Sequence, residues 1–395
     1  MTDVFLFADL PASVPTWVPD VFTSLVKIFI VVNVILGLVS YTVMAERRIS
    51  AAIQDRIGPN RVGLPLGGVN ILGLFTLPKW TWWGLGQPLA DALKFMLKEE
   101  FTPAGVNKLY FWLAPAMAMV PALLTICVIP FGSSTAITLP WGYVMKSPGV
   151  IADVGIGVLL VFAISSLSVY GIVLAGWSSN SKYPFLGGIR SSAQMISYEV
   201  SMGLSVIPIF LVMGNLRLAD VVQYQVDHGW TALPLFTTWD WKSYILWIPM
   251  LVSFLVFLVA AFAETNRLPF DLPESETELV GGYHTEYSAM KFALFFLGEY
   301  AAMIVASCLM VTLFLGGWSL PIAPYMALQD SAWSLLIYPV VFLIKMCVFI
   351  VFFIWVRWTL PRFRYDQLMG FGWKFLLPVA MVNILATALA LAWHG

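Results

Sequence analysis

Five carboxylates fall within fifteen residues in one stretch of this chain: Glu264, Asp271, Glu274, Glu276 and Glu278. The whole sequence of 395 residues has only 22 acids. An apolar segment runs directly into this stretch, and another begins near Met290, shortly after Glu286. Acids so crowded between lipid-crossing segments mark an ion or proton path, a partner surface or a ligand mouth. Close carboxylates in a low-dielectric setting cannot all ionise, so their protonation answers to charge changes nearby. The bland alternative is a solvated face docking basic patches, and it applies most to Glu276 and Glu278. Two further acids, Glu199 and Glu299, sit inside apolar segments, where an ionisable group is functional by default. Lys291 lies two turns from Glu299, and Lys345 is also deep, so an internal Glu–Lys pair is a structural alternative.

The composition says what must position these groups. Charged residues make up 11% of the chain, against about 25% in soluble domains, and the mean hydropathy is +0.85. A bilayer core needs about 20 apolar residues per helix. Eight segments qualify: 21–45, 109–130, 150–176, 188–214, 243–263, 290–316, 331–355 and 369–393. The expected fold is an all-α integral membrane protein, one membrane domain over 1–395 with eight transmembrane helices. The net charge is −1, and no nucleic-acid partner is expected.

The first residues carry Asp3, Asp9 and Asp20 and no Lys or Arg before Lys27, unlike a cleavable signal. Sixteen Lys and Arg fall in the odd-numbered connections and three, Lys146, Arg217 and Lys242, in the even ones. The positive-inside rule then puts the odd connections, the acidic one at 264–289 included, in the cytoplasm. Cys127, Cys308 and Cys347 sit singly in apolar segments and His228, His284 and His394 are scattered, which gives no metal spacing.

The first connection, 46–108, is too long for a turn. Ile49, Ile53 and Ile57 recur every four residues, the spacing of an apolar helix stripe. The segment 58–63 reads Gly-Pro-Asn-Arg-Val-Gly, a break. In the segment 87–98, Gln87, Asp91, Lys94 and Lys98 share one face while Leu89, Leu93, Met96 and Leu97 fill the other. Both pieces read as amphipathic helices lying in the interface plane. The third connection, 176–190, is rich in Gly, Ser and Asn and reads as a compact loop.

Several of these stretches carry a resemblance. The segment 84–99, Gly-Leu-Gly-Gln-Pro-Leu-Ala-Asp-Ala-Leu-Lys-Phe-Met-Leu-Lys-Glu, and the segment 269–282 around the acids are similar to two signatures of the quinone-site membrane subunit of respiratory complex I. The stretches 46–48, 58–63, 197–200, 263–267 and 361–368 also match, in the family's order. The resemblance implies a bacterial inner-membrane subunit of a proton-pumping NADH:quinone oxidoreductase. Its partners would be the other membrane-arm subunits, the hydrophilic arm and the lipid bilayer. Quinone, ubiquinone or menaquinone, would be the substrate, with iron–sulfur clusters and FMN only in partner subunits. Glu46, Arg47, Arg48, Asp55, Arg56, Arg61, Asp91 and Arg267 would border the quinone chamber, with Arg48, Arg56 and Arg61 lining a polar stretch or pairing with Asp55 and Glu46. Glu199, Glu264, Asp271, Glu274, Glu276, Glu278, Glu286 and Glu299 would carry the proton side of the coupling.

Two departures stand out. Residues 64–83 are inserted where the family's link is short, and Ser275 replaces a small Gly or Ala. The rival readings are the homologous subunit of an energy-converting hydrogenase or ferredoxin- or formate-linked complex, an ion-coupled transporter, and a structural adaptor.

Overall fold

The computed structural model describes residues 17–60, 62, 70–71, 75–76, 84–133, 137–138, 144–145, 149–232, 241–273, 279–320 and 334–394. Among them, eight helices are long and apolar enough to cross a membrane. They are span one (Trp17–Ile53), two (Lys108–Ile126), three (Gly157–Ser178), four (Lys182–Met213), five (Trp241–Glu264), six (Ala289–Phe314), seven (Ser334–Thr359) and eight (Tyr365–Trp393). Two shorter helices, Gln87–Leu97 and Leu218–His228, lie between them. Two tiny antiparallel pairs, Asn70–Ile71 with Phe75–Thr76 and Ile137–Thr138 with Val144–Met145, and a 3-10 turn at Gly282–His284 are also described. The inserted residues 64–83 otherwise lie outside the described residues.

Span six is the central pillar: 72% of its apolar window is buried, against 6% for span one. Lipid removes the hydrophobic drive between helices, so close backbone approach has to hold the bundle. Small residues supply it. A Cβ at Gly171 of span three would lie 2.7 Å from the Ala118 nitrogen of span two, and one at Gly298 of span six 3.2 Å from the Ala118 oxygen.

Three expectations about the elements change. Residues 46–53 are not a separate interfacial helix but the last turns of span one, which carries Glu46, Arg47 and Arg48 without a break. No glycine or proline interrupts the helix there, and Glu46 finds partners inside the protein. Ile57 lies beyond the helix and is 86% exposed. The compact loop expected over 176–190 shrinks to a few residues, because span four starts at Lys182. Gly187 and Gly188 are helical: a Cβ at Gly187 would meet the Tyr283 nitrogen at 2.8 Å and one at Gly188 the Ile172 oxygen at 3.2 Å. Small residues that read as a loop in sequence serve here as contact points. Span three is discontinuous at Ser166. The hydroxyls of Ser165, Ser166 and Ser168 each donate to a carbonyl three residues back, a pattern that bends helices.

Candidate functional site

The end of span one, the start of the fifth connection and spans six and seven meet in one buried charge network. Glu46 is its hub. Its Oε2 accepts from Tyr300 Oη at 2.6 Å and lies 3.3 Å from Arg267 Nη1, while Oε1 accepts from Arg357 Nη1 at 2.5 Å. Arg267 is 2% exposed. Its Nε stands 2.9 Å from Glu299 Oε1, and its guanidinium lies over the Tyr300 ring, 4.1 Å from the centroid. Two carboxylates thus face two guanidiniums. Burial works against the Arg267 charge, but Glu299, Tyr300 and Glu46 outweigh it and hold Arg267 protonated above its ordinary range. The network is not saturated: Nε and Nη2 of Arg267 make no aligned hydrogen bond despite the close Glu299 oxygen.

Next to the network lies a cavity of about 80 Å³. That exceeds the roughly 10–15 Å³ one water needs, so the cavity has room for water. Spans two, three, four and six and the end of span five line it, and its polar wall includes Thr125, Ser165, Ser168, Glu264, Asn266 and Glu299. The Glu264 carboxyl interacts with the Ser165 side chain and lies within electrostatic reach of Glu199. Glu199 itself is half-buried on span four. Among the described residues the cavity therefore has one carboxylate tied to a guanidinium, Glu299, and one in no ion pair, Glu264. Proton-exchanging groups in contact with trapped water can hand protons along; the same groups locked in saturated ion pairs cannot.

The amide of Gln194, buried on span four, ties this corner together. It donates to the Ala263 and Phe270 carbonyls at 2.8 and 2.6 Å. Asp271, in the acidic stretch, pairs with Arg362 at 3.0 Å, and the Phe363 nitrogen donates to the Pro269 oxygen. The fifth and seventh connections are thereby clamped to each other, so Asp271 stands in an ion pair away from the cavity. Glu286 is half-buried near the start of span six.

On the other side of the network, Arg47 Nη1 reaches Asp91 at 2.7 Å and Gln87 Nε2 donates to Asp91 at 2.8 Å. This ties helix Gln87–Leu97 to span one by its polar face. Its apolar face is bare: Leu89, Leu93, Met96 and Leu97 are all exposed. Arg48 donates to the Pro59 carbonyl at 3.3 Å, and Arg56 bonds the Gln54 side chain. Asp55 sits in the turn after span one with φ +54.

Several expected pairings are different in space. Glu46 pairs with Arg267 and Arg357, not with Arg48 or Arg56, because it faces the bundle while they face the loop. Lys291 does not pair with Glu299; it reaches Glu100 at 3.3 Å and Thr102 at 3.0 Å and sits over the Trp112 ring. Lys345 binds carbonyl oxygens. Arg61, Glu274, Glu276 and Glu278 lie outside the described residues. Sequence reasoning missed Tyr300, Arg357, Gln194 and Asn266. An aromatic hydroxyl directly after a deep Glu was the one local sign available for Tyr300. Among the described residues no three His, Cys, Asp or Glu side chains group as a metal site would need.

Comparison with known proteins decides the family. The profile of the family described as NADH dehydrogenase matches residues 26–388. The chain belongs to that family. Within it, an H-type NADH-quinone oxidoreductase subunit of Koribacter versatilis is 45% identical over 379 residues, covering 93% of this chain and 97% of the relative. An H-type subunit of Geobacter sulfurreducens is 47% identical, with 91% and 94% covered. The NADH-quinone oxidoreductase protein numbered subunit 8 in Rhodothermus marinus is 45% identical, with 95% and 98% covered. The family match over residues 26–388 reaches into all eight spans, so the network and cavity fall within it.

Proposed function

We propose that this chain is the H-type membrane subunit of a proton-pumping NADH:quinone oxidoreductase, walling the quinone chamber and linking quinone reduction to proton movement. The observation that carries this reading is the buried network of Glu46, Arg267, Glu299, Tyr300 and Arg357. It joins the end of span one, beside the bare apolar face of Gln87–Leu97, to the carboxylate-lined cavity inside the bundle. An isoprenoid tail suits that apolar face, since burying apolar surface is favourable by about 25 cal/mol per Å². The headgroup would meet Arg48, Arg56 and Arg61, with Arg47 and Asp91 holding the helix in place. Electrons would come from iron–sulfur clusters and FMN in partner subunits of the hydrophilic arm, so this chain supplies shape and proton handling.

The proton side rests on charge balance. Quinone reduction consumes two protons and passes through anionic states. A negative charge arising beside Glu46 competes for Arg267, which releases Glu299 toward the cavity and raises its demand for a proton. Glu264 and Glu199 are the next acceptors, and Glu274, Glu276, Glu278 and Glu286 are the entrance acids on the loop. The odd connections face the cytoplasm of a bacterial cell with this subunit in its inner membrane, in contact with other membrane-arm subunits and lipid.

A photoreactive quinone analogue tests the reading in the purified complex. Crosslinks are expected in 46–60, in 87–98 and at the start of span six. Crosslinks confined to other subunits would overturn it. Cysteine probes at Asn60 and Thr285 are expected to react only from the cytoplasmic side, and reaction from outside would reverse the orientation.

A further inference from the structure

The outer end of span six closes on an arrangement that quinone chemistry does not use. After Phe314 the chain turns through Gly316 and Gly317, with φ +67 and +51. The carbonyl oxygens of Leu315, Gly317 and Ser319 converge on Nζ of Lys345, from span seven, at 2.7, 3.0 and 2.5 Å. The Trp230 ring lies 4.3 Å from the same nitrogen.

The turn is built, not incidental. Gln225 Oε1 accepts from the Gly316 nitrogen at 2.8 Å, and its Nε2 donates to the Thr312 oxygen at 2.9 Å. Thr231 donates to the Leu313 oxygen at 2.9 Å. A Cβ at Gly316 would lie 2.6 Å from Trp230 Cδ1, and one at Gly317 2.8 Å from Val222. Both glycines are needed for their left-handed backbone and for the space.

A helix ends with carbonyls that have no partner in the helix and with partial negative charge. An ammonium has three N–H donors and no acceptor, which matches three converging oxygens and a ring face. A neutral amine would turn its lone pair on a carbonyl oxygen. The partners that the described residues give Lys345 are carbonyl dipoles and a ring face.

We propose that the Leu315–Ser319 turn is a primary-ammonium site which Lys345 fills. Lys345 is thereby a positioning residue that fixes the outer end of span six and, through that helix, the placement of Glu299 and Tyr300.

Chemical rescue tests this in the detergent-solubilised complex. Lys345→Ala removes a fragment with the shape of propylammonium. The variant is expected to melt at a lower temperature than the parent complex, and propylammonium to restore that temperature saturably. Turnover, a readout that rests on the quinone reading, is expected to fall several-fold with the KM for quinone unchanged and to recover with the same propylammonium dependence. The melting temperature is independent of that reading, so the two ideas fail separately. Tetramethylammonium carries charge without N–H donors and is expected not to rescue. Lys345→Met fills the slot with an uncharged chain and is expected to show the loss without rescue. An unchanged melting temperature in either variant overturns the proposal. Equal rescue by tetramethylammonium, or none by propylammonium, does so too. Where Lys345→Ala fails to assemble, growth with propylammonium is expected to restore assembled complex in membranes, and no restoration overturns the proposal.

Discussion

The two ends of span six solve the same problem, a charge inside a membrane protein, in opposite ways. At the end nearer the fifth connection, Glu299 and the neighbouring Glu46 are met by the guanidiniums of Arg267 and Arg357. At the other end, the partners of Lys345 among the described residues are carbonyl dipoles and a ring face. A network of mobile opposite charges has several arrangements close in energy, because each cation can favour one acid or the other. A cage of backbone dipoles has one. The first arrangement suits a device that must respond to charge; the second suits an anchor.

Breaking the responsive end is expected to give the largest effects. Glu264→Gln removes a proton acceptor from the cavity wall while keeping its shape. Turnover is expected to drop about 100-fold or more, the range for losing one proton-transferring group, with the complex assembled on native gels. Normal turnover and a normal proton-to-electron ratio would make Glu264 structural.

Arg267→Met comes next. It leaves Glu46 and Glu299 without their shared cation, and breaking a buried pair from one side costs about 3–5 kcal/mol. The complex is expected to lose thermal stability sharply, and Glu46→Gln added to Arg267→Met to recover part of it. A double variant no more stable than the single one would refute the shared hub.

Asp271→Asn sharpens the comparison at an intermediate level. The Asp271–Arg362 clamp is worth about 1.5–3 kcal/mol as a charged hydrogen bond. A lower melting temperature with turnover per assembled complex unchanged is expected; a loss of turnover alone would return Asp271 to the proton side.

The smallest effect is expected at Arg47. The Arg47–Asp91 pair is surface-exposed, and such pairs contribute about 0–1 kcal/mol. Arg47→Gln is expected to leave stability within that range and to raise the KM for quinone, since it frees helix Gln87–Leu97. An unchanged KM would remove this pair from the chamber.

How much of this was legible in the sequence divides along one line. Hydropathy alone places the eight spans, because lipid demands long apolar runs. It misplaces the end of span one, because Glu46-Arg47-Arg48 reads as an exit from the membrane. The partners that let the helix continue lie 221 and 311 residues away, and no window of sequence contains them. Gly187 and Gly188 mislead for a related reason: small residues mark loops and close helix contacts alike, and only the position of Tyr283 distinguishes the two. The acids themselves were visible, since a carboxylate in an apolar segment is rare. Their roles were not. Asp271 and Glu264 look alike in sequence, yet one meets Arg362 across a clamp and the other borders a cavity. Lys291 and Glu299 share a helix face two turns apart, yet each finds a better partner on another element.

Span one has a mechanical consequence. It runs from Trp17 to Ile53 over 37 residues, a rod of about 55 Å at ~1.5 Å per residue, with no hinge between its lipid-facing length and the turn that carries Arg47. Helix Gln87–Leu97 is strapped near one end of this rod, and Glu46 sits one residue from the strap. A sideways push on that helix, as a bulky guest threads past, cannot be absorbed by local bending. It must appear as a tilt of the whole rod, with Glu46 as the point nearest the load. The rod is thus a lever whose short arm holds the charge hub, so that mechanical displacement and charge rearrangement become one event.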